Sequence, residues 1–110
     1  AVDEMIKAFG KDKVHGVVLD VTKDDSIEEA YMQSALSFGG IDILVNCAGL
    51  AISKPLENTT VADWNLLQDV LVKGQFVMSK AAVEVMRKQK QGGDIVNIVS
   101  KNALVAGPNN

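Results

Sequence analysis

Cysteine and histidine are almost missing from this sequence: Cys47 and His15 stand alone among 110 residues. A single thiol excludes an intramolecular disulfide, and one thiol with one imidazole cannot complete a zinc site from nitrogen and sulfur ligands alone. No metal site is expected, and a reducing cytoplasm is the compartment that this usage implies. No apolar run approaches the roughly 18 to 20 residues that cross a bilayer, so no membrane partner is expected. Ala1–Phe9 carries Asp3 and Glu4 where an export signal would have a basic region. Basic clusters are scarce as well. Arg87, Lys88 and Lys90 form the densest one, and 11 basic against 14 acidic residues leave a formal charge of -3. On that balance no nucleic-acid partner is expected.

What is present is apolar material, 47% of the residues, enough in 110 residues for one modest core and not two. The chain opens in a helical pattern without a start methionine, as expected of an internal piece of a longer protein; a processed chain is the plain alternative. Val2, Met5, Ile6 and Phe9 recur at helical spacing before Gly10, placed for a left-handed cap. Val14–Val21 is short, apolar and β-branched, which predicts a strand buried on both faces. Ser26 and Glu29 have capping-box spacing ahead of a helix that Gly39 and Gly40 stop. Ile41–Val45 predicts a second strand, feeding the turn at Ala48 and Gly49.

Thr60 and Asp63 repeat the capping spacing, and Trp64, Leu67, Leu71, Gly74, Met78, Ala81 and Val85 mark one face of a long helix reaching about Lys90. Gly92 and Gly93 end it, and Ile95–Val99 predicts a third strand closing at Ser100. This alternation predicts an α/β fold with a parallel sheet and helices on both faces. In such sheets ligands lie beyond the carboxyl ends of the strands. The residues to watch are therefore Asp20-Val21-Thr22, Asn46-Cys47-Ala48-Gly49 and Ser100-Lys101-Asn102.

Those strand ends, taken together and in order, resemble the short-chain dehydrogenase/reductase family. Leu19-Asp20-Val21-Thr22 resembles the segment whose Asp and next apolar residue meet the adenine ring. Ile43–Gly49 resembles the family's NNAG motif with Cys47 in place of the second Asn, and Ile95–Ser100 resembles the strand that ends in the catalytic serine. Asp69–Gly74 resembles the long-helix signature between them. Within the family, that signature combined with Ser100–Asn109 is similar to the dehydrogenase part of bifunctional rhamnulose-1-phosphate aldolase/alcohol dehydrogenases. The resemblance implies an incomplete Rossmann-like domain across residues 1–110, holding strands 3, 4 and 5 of the usual order 3-2-1-4-5-6, so the first two predicted strands would not be neighbours.

The resemblance also implies the chemistry: NAD or NADP as cofactor and a small alcohol or carbonyl substrate, plausibly sugar-derived. A Tyr takes the hydroxyl proton, a Ser holds the oxygen and a Lys lowers the Tyr pKa. Ser100 fits the Ser role; the plain alternative is a strand-terminal serine that bonds local backbone. The family's Tyr and Lys would fall past Asn110, and Tyr31, the only tyrosine, reads as a partly buried helix-face residue. The chain by itself is therefore expected to be inactive.

Cofactor contacts are expected at Asp20, Val21, Asn46, Ala48, Gly49 and Val72, against plain readings as a helix cap, a turn and core packing. Leu71 stands where many members carry an Asn that organises a relay water, and a leucine can neither donate nor accept. Cys47 reads as an inert core residue, and His15 as a solvated strand start. No glycine-rich phosphate loop occurs, so the choice between NAD and NADP is unreadable. Family members pair commonly through the long helix, which implies a homo-oligomer. A non-catalytic dehydrogenase-like module for assembly or regulation is the rival reading; a flavodoxin-like or receiver domain is disfavoured because the first strand end lacks an acidic cluster.

Overall fold

A computed structural model of the chain describes residues 1–105. The first helix, α1 (Val2–Phe9), carries Asp3 and Glu4 in its first turn and Lys7 in its last, matching the helix dipole at both ends. Gly10 follows with φ 96° and ψ 152°. That positive φ calls for glycine, but it is not the left-handed helical cap that the spacing predicted.

Val14–Val21 corrects the strand prediction. These residues carry no ladder, and the chain turns at Val21 and Thr22. A strand exists only through a neighbour's N–H and C=O groups, and no described segment lies alongside to supply them. The predicted capping box at Ser26 is corrected too. Helix α2 (Asp24–Phe38) starts ahead of Ser26, whose hydroxyl instead accepts the backbone N–H of Asp20 at 2.8 Å. At the far end Gly39 stops α2, as its position predicted, and does so in the left-handed conformation at φ 84° and ψ −3°.

The second and third predicted strands do form. β1 (Ile43–Asn46) and β2 (Asp94–Asn97) pair in parallel, with Leu44 opposite Ile95 and Asn46 opposite Asn97. Between them runs one long helix in three parts: α3 (Val61–Gln68), a π-helical turn (Asp69–Gly74) and α4 (Gln75–Gln89). Thr60 and Asp63 cap it reciprocally as their spacing predicted. It ends where the pattern predicted, with Lys90 as its cap at φ 60° and ψ 17°, two residues ahead of the glycine pair.

The core lies between α2, α4 and the sheet. Ile27 and Tyr31 from α2 meet Met78, Ala82 and Met86 from α4, with Leu44 and Ile95 packed against them. Trp64, predicted on that inner face, is exposed, because the π turn inserts a residue and rotates α3 out of α4's apolar stripe. Tyr31 is buried more deeply than predicted, and its hydroxyl donates to the Met78 carbonyl at 2.6 Å; burial pushes its pKa up to about 12. The opposite face of the sheet leaves Ile43, Val45 and Val96 open to solvent. The architecture is thus an incomplete Rossmann-like α/β unit. A cavity of about 580 Å³ opens between Val17 and Leu19 on one side and Ile43 and Leu44 on the other, where the family's strand order would place two further strands.

Candidate functional site

Because β1 and β2 are parallel and Asn46 sits opposite Asn97, the residues that follow them leave the sheet at one end. Gly49 and Ser100 each follow the last ladder residue of their strand, so both lie in segments that leave this same end of the sheet. Asn46 is buried. Its amide nitrogen donates to Asn97 Oδ1 at 2.8 Å and to Ser79 Oγ at 3.1 Å, tying β1 to β2 and to α4. Both N–H groups are thereby used, so the side chain holds the rim together, and what is left open to solvent is the backbone of Ala48 and Gly49 with the Ala48 methyl group.

The π turn joins the remaining loop to this rim. A Cβ at Gly74 would lie 2.9 Å from Val21 Cγ2, and a Cβ at Gly49 would lie 3.5 Å from Leu71 Cδ2. Val21 and Gly49 therefore both rest on Asp69–Gly74, although no sheet hydrogen bond links their segments. Val72, on the same turn, is 58% exposed. The structure thus places Val21, Gly49 and Val72 around one π turn, with Ser100 in the segment that leaves the same end of the sheet as Gly49.

Asp20 is tied into its own turn. Its Oδ1 accepts the Thr22 backbone N–H at 3.0 Å and the Thr22 hydroxyl at 2.7 Å. These two bonds, with Lys23 nearby, hold its pKa below the ordinary carboxylate value. Oδ2 has Lys23 Nζ at 3.5 Å and keeps acceptor capacity for a ligand donor. The carboxylate is not the cap of α2, whose N-cap position is Lys23.

Ser100 is exposed, and its Oγ accepts the Asn102 backbone N–H at 3.2 Å at the start of a short 3₁₀ turn (Lys101–Ala103). That bond uses a lone pair and leaves the hydroxyl hydrogen free to donate. Cys47, predicted as core, is exposed, because it continues the alternation of Ile43 and Val45 onto the uncovered sheet face. The residues beyond 105 that share in the narrower resemblance, Ala106 to Asn109, lie outside the described residues. Among those described, no cluster of His, Cys, Asp and Glu is arranged to hold a metal ion, and no helix is long and apolar enough to cross a membrane.

Lys54 reaches across the loop after β1 and donates to both oxygens of Asp63, at 2.9 and 2.8 Å. Together with the Thr60 bonds this holds the Asp63 carboxyl down to about 2 from the ordinary 3.8. The folded pKa lies below the unfolded one, so the stabilisation is complete above the unfolded value and is lost as pH falls through about 2. Hydrogen exchange at the Thr60 and Asp63 amides is expected to be unchanged from pH 6 to pH 4 and to lose protection towards pH 2. Protection lost above pH 4 would contradict this clamp.

Sequence reading missed Gly74, Ser79 and Asn97 as parts of this arrangement. A glycine inside a helix costs about 1 kcal/mol against alanine, and that cost was the available signal that something approaches Gly74 closely. Nothing local marks Ser79 as the acceptor for Asn46.

A family model described as short chain dehydrogenase matches residues 1–110. Among curated proteins, the oxidoreductase YuxG of Bacillus subtilis is 42% identical over 106 residues, covering 96% of this chain and 15% of that protein. An oxidoreductase of Thermotoga maritima is 40% identical over 105 residues, covering 96% of this chain and 40% of that one. Among solved structures, the sorbitol-6-phosphate 2-dehydrogenase SrlD of Erwinia amylovora superposes with a TM-score of 0.89 at 28% identity, covering 99% of this chain and 43% of that one. The chain spans less than half the length of each of these proteins.

Proposed function

The chain belongs to the short-chain dehydrogenase family, and from that premise we propose that it is the central part of an NAD(P)-dependent oxidoreductase interconverting a small alcohol and its carbonyl. The observation that carries this reading is the rim. Val21, Gly49 and Val72 meet at one π turn, and Ser100 follows β2 from the end of the parallel sheet that Gly49 also leaves. A similarity spanning only 15% of YuxG supports placing this unit inside a much longer polypeptide, as a bifunctional aldolase/dehydrogenase would be.

The residues present fit part of a dinucleotide. Ala48 and Gly49 are exposed, and a Cβ at Gly49 would meet only Leu71, so a ribose can approach the backbone closely. Asp20 Oδ2 and Val21 offer an acceptor and an apolar surface to the adenine. A glycine turn for the pyrophosphate is not among these residues, so that cradle falls to another part of the protein. The bound nicotinamide supplies hydride transfer. Ser100 donates to the substrate oxygen, orienting it and stabilising the charge that develops there. The groups that move the alcohol proton and lower its donor's pKa are not supplied by this chain's Tyr31, which is buried in the core.

The substrate class in this reading is a small, sugar-derived alcohol or carbonyl compound. The compartment is the cytoplasm, and the complete protein pairs with copies of itself along the exposed side of the long helix. The test compares this chain with the polypeptide that contains it. Both are titrated with NADH and NADPH and assayed at 340 nm over a panel of sugar-derived aldehydes, with an extended protein that turns over and a chain that does not as the expected pair. Turnover by residues 1–110 alone would overturn the assignment of Ser100 as dependent on a Tyr and Lys elsewhere. A non-catalytic module is favoured by one observation, the apolar Leu71 packed against Gly49, and absence of any turnover in the extended protein would select it.

A further inference from the structure

We infer that the π-helical turn Asp69–Gly74 positions the adenine end of the dinucleotide rim, with Gly74 as its positioning residue; the inference rests on the dinucleotide reading above. The need for such a device follows from the sheet. β1 and β2 hold each other in register by backbone hydrogen bonds, so the loops that carry Gly49 and Ser100 are placed by the ladder. Val14–Val21 has no ladder bond to either strand, so its spacing from them rests on the Asp20–Ser26 hydrogen bond to α2 and on the packing of Val21 against the π turn.

That packing is on Gly74. Val21 Cγ2 and Cβ lie 2.9 and 3.1 Å from the point where a Gly74 side chain would begin, and the Asp69 carbonyl oxygen lies 3.3 Å from it. Only a residue without a Cβ lets the Asp20–Thr22 turn come this close. Helix propensity argues against glycine here, so the close approach is the reason for it. The same turn carries Leu71 under Gly49, and one element therefore spaces the adenine-side loop from the ribose-side loop.

The turn is itself held from the core side, one turn further along α4. Tyr31 donates to the Met78 carbonyl from α2, and Asn46 donates to Ser79 from β1. π turns are locally underbonded departures from the α-helix that recur at functional sites, and this one transmits the position of α4 directly to Val21. A methyl group at position 74 would push Val21 outward and leave Gly49, Val72 and Ser100 where they are.

The test uses the complete polypeptide that contains this chain and measures dissociation constants by calorimetric titration. The ligands are NADH or NADPH, whichever the wild type binds, adenosine 5′-monophosphate as the adenine-end probe and nicotinamide mononucleotide as the other. Gly74→Ala is expected to weaken the dinucleotide and adenosine monophosphate alike, by about tenfold, and to leave nicotinamide mononucleotide within twofold. In a Val21→Gly background, where the colliding atoms are gone, adding Gly74→Ala is expected to change no ratio by more than twofold. That pair also carries the test if Gly74→Ala alone does not fold.

A Gly74→Ala protein that binds adenosine monophosphate as the wild type does overturns the inference, as does an equal loss for both half-ligands. So does an undiminished effect in the Val21→Gly background. A wild type that binds neither NADH nor NADPH overturns the functional reading itself, and this inference with it.

Discussion

Replacing Ser100 by alanine in the complete protein is expected to lower kcat by two to four orders of magnitude, about the range removed with a positioned proton or hydrogen-bond donor. KM for the dinucleotide is expected to stay within about threefold. The split follows from geometry. Ser100 is exposed just past the end of β2, and its hydroxyl oxygen accepts the Asn102 N–H, so among the described residues its hydrogen is left to donate to a substrate oxygen. Alanine removes that donor and also the cap of the Lys101–Ala103 turn. Losing a cap of this kind costs about 1 kcal/mol of stability, which appears in Tm and not in kcat, so the two roles separate in one pair of measurements. A threonine in its place retains the hydroxyl and is expected to recover part of the rate. If Ser100→Ala keeps kcat within a factor of two while Tm falls, Ser100 is only the local backbone partner that its position also suggested.

Residues 1–110 in isolation are expected to self-associate or stay partly unfolded, giving broad sedimentation boundaries, strong binding of an apolar dye and no single cooperative thermal transition. The accessible surface is 8287 Å², whereas the scaling of folded monomers assigns about 5,900 Å² to a protein of this mass. The radius of gyration is 16.5 Å, against about 13 Å for a compact domain of this length. The excess is apolar in large part: Ile43, Val45 and Val96 on the open sheet face, Val18 in the unpaired segment before α2, Trp64 and Phe76 along the long helix. An uncovered parallel sheet with a free edge is the arrangement most prone to pairing between copies. Supplying the rest of the polypeptide should remove the dye signal and restore one transition. A monomeric, two-state chain of 110 residues would show instead that this surface is tolerated.

Much of the site was legible in the sequence, and each legible part is local. Thr60 and Asp63 cap their helix from neighbouring positions, and the apolar runs around Leu44 and Ile95 find each other as strands. The strand-end motifs that pointed to the family are likewise short. The misreadings share one cause: Val14–Val21 has strand composition without a strand partner, Ser26 gave its hydroxyl to Asp20 and not to its own helix, and Cys47 lies on a face that nothing covers. Each depends on what comes alongside, which periodicity within one segment does not encode.

The amino-acid order by itself determined the helix–strand alternation from α2 onward, the Thr60–Asp63 cap and the delivery of Asn46 and Ser100 to one end of a parallel pair, because these follow from hydrophobic period and hydrogen bonds within a turn or two of chain. Only the tertiary structure decided that Asn46 spends its amide on Asn97 and Ser79, and that the long helix opens into a π turn where Val21 presses on Gly74. Those are contacts between residues tens of positions apart, and their geometry is set by close packing between elements, for which no single segment carries the information.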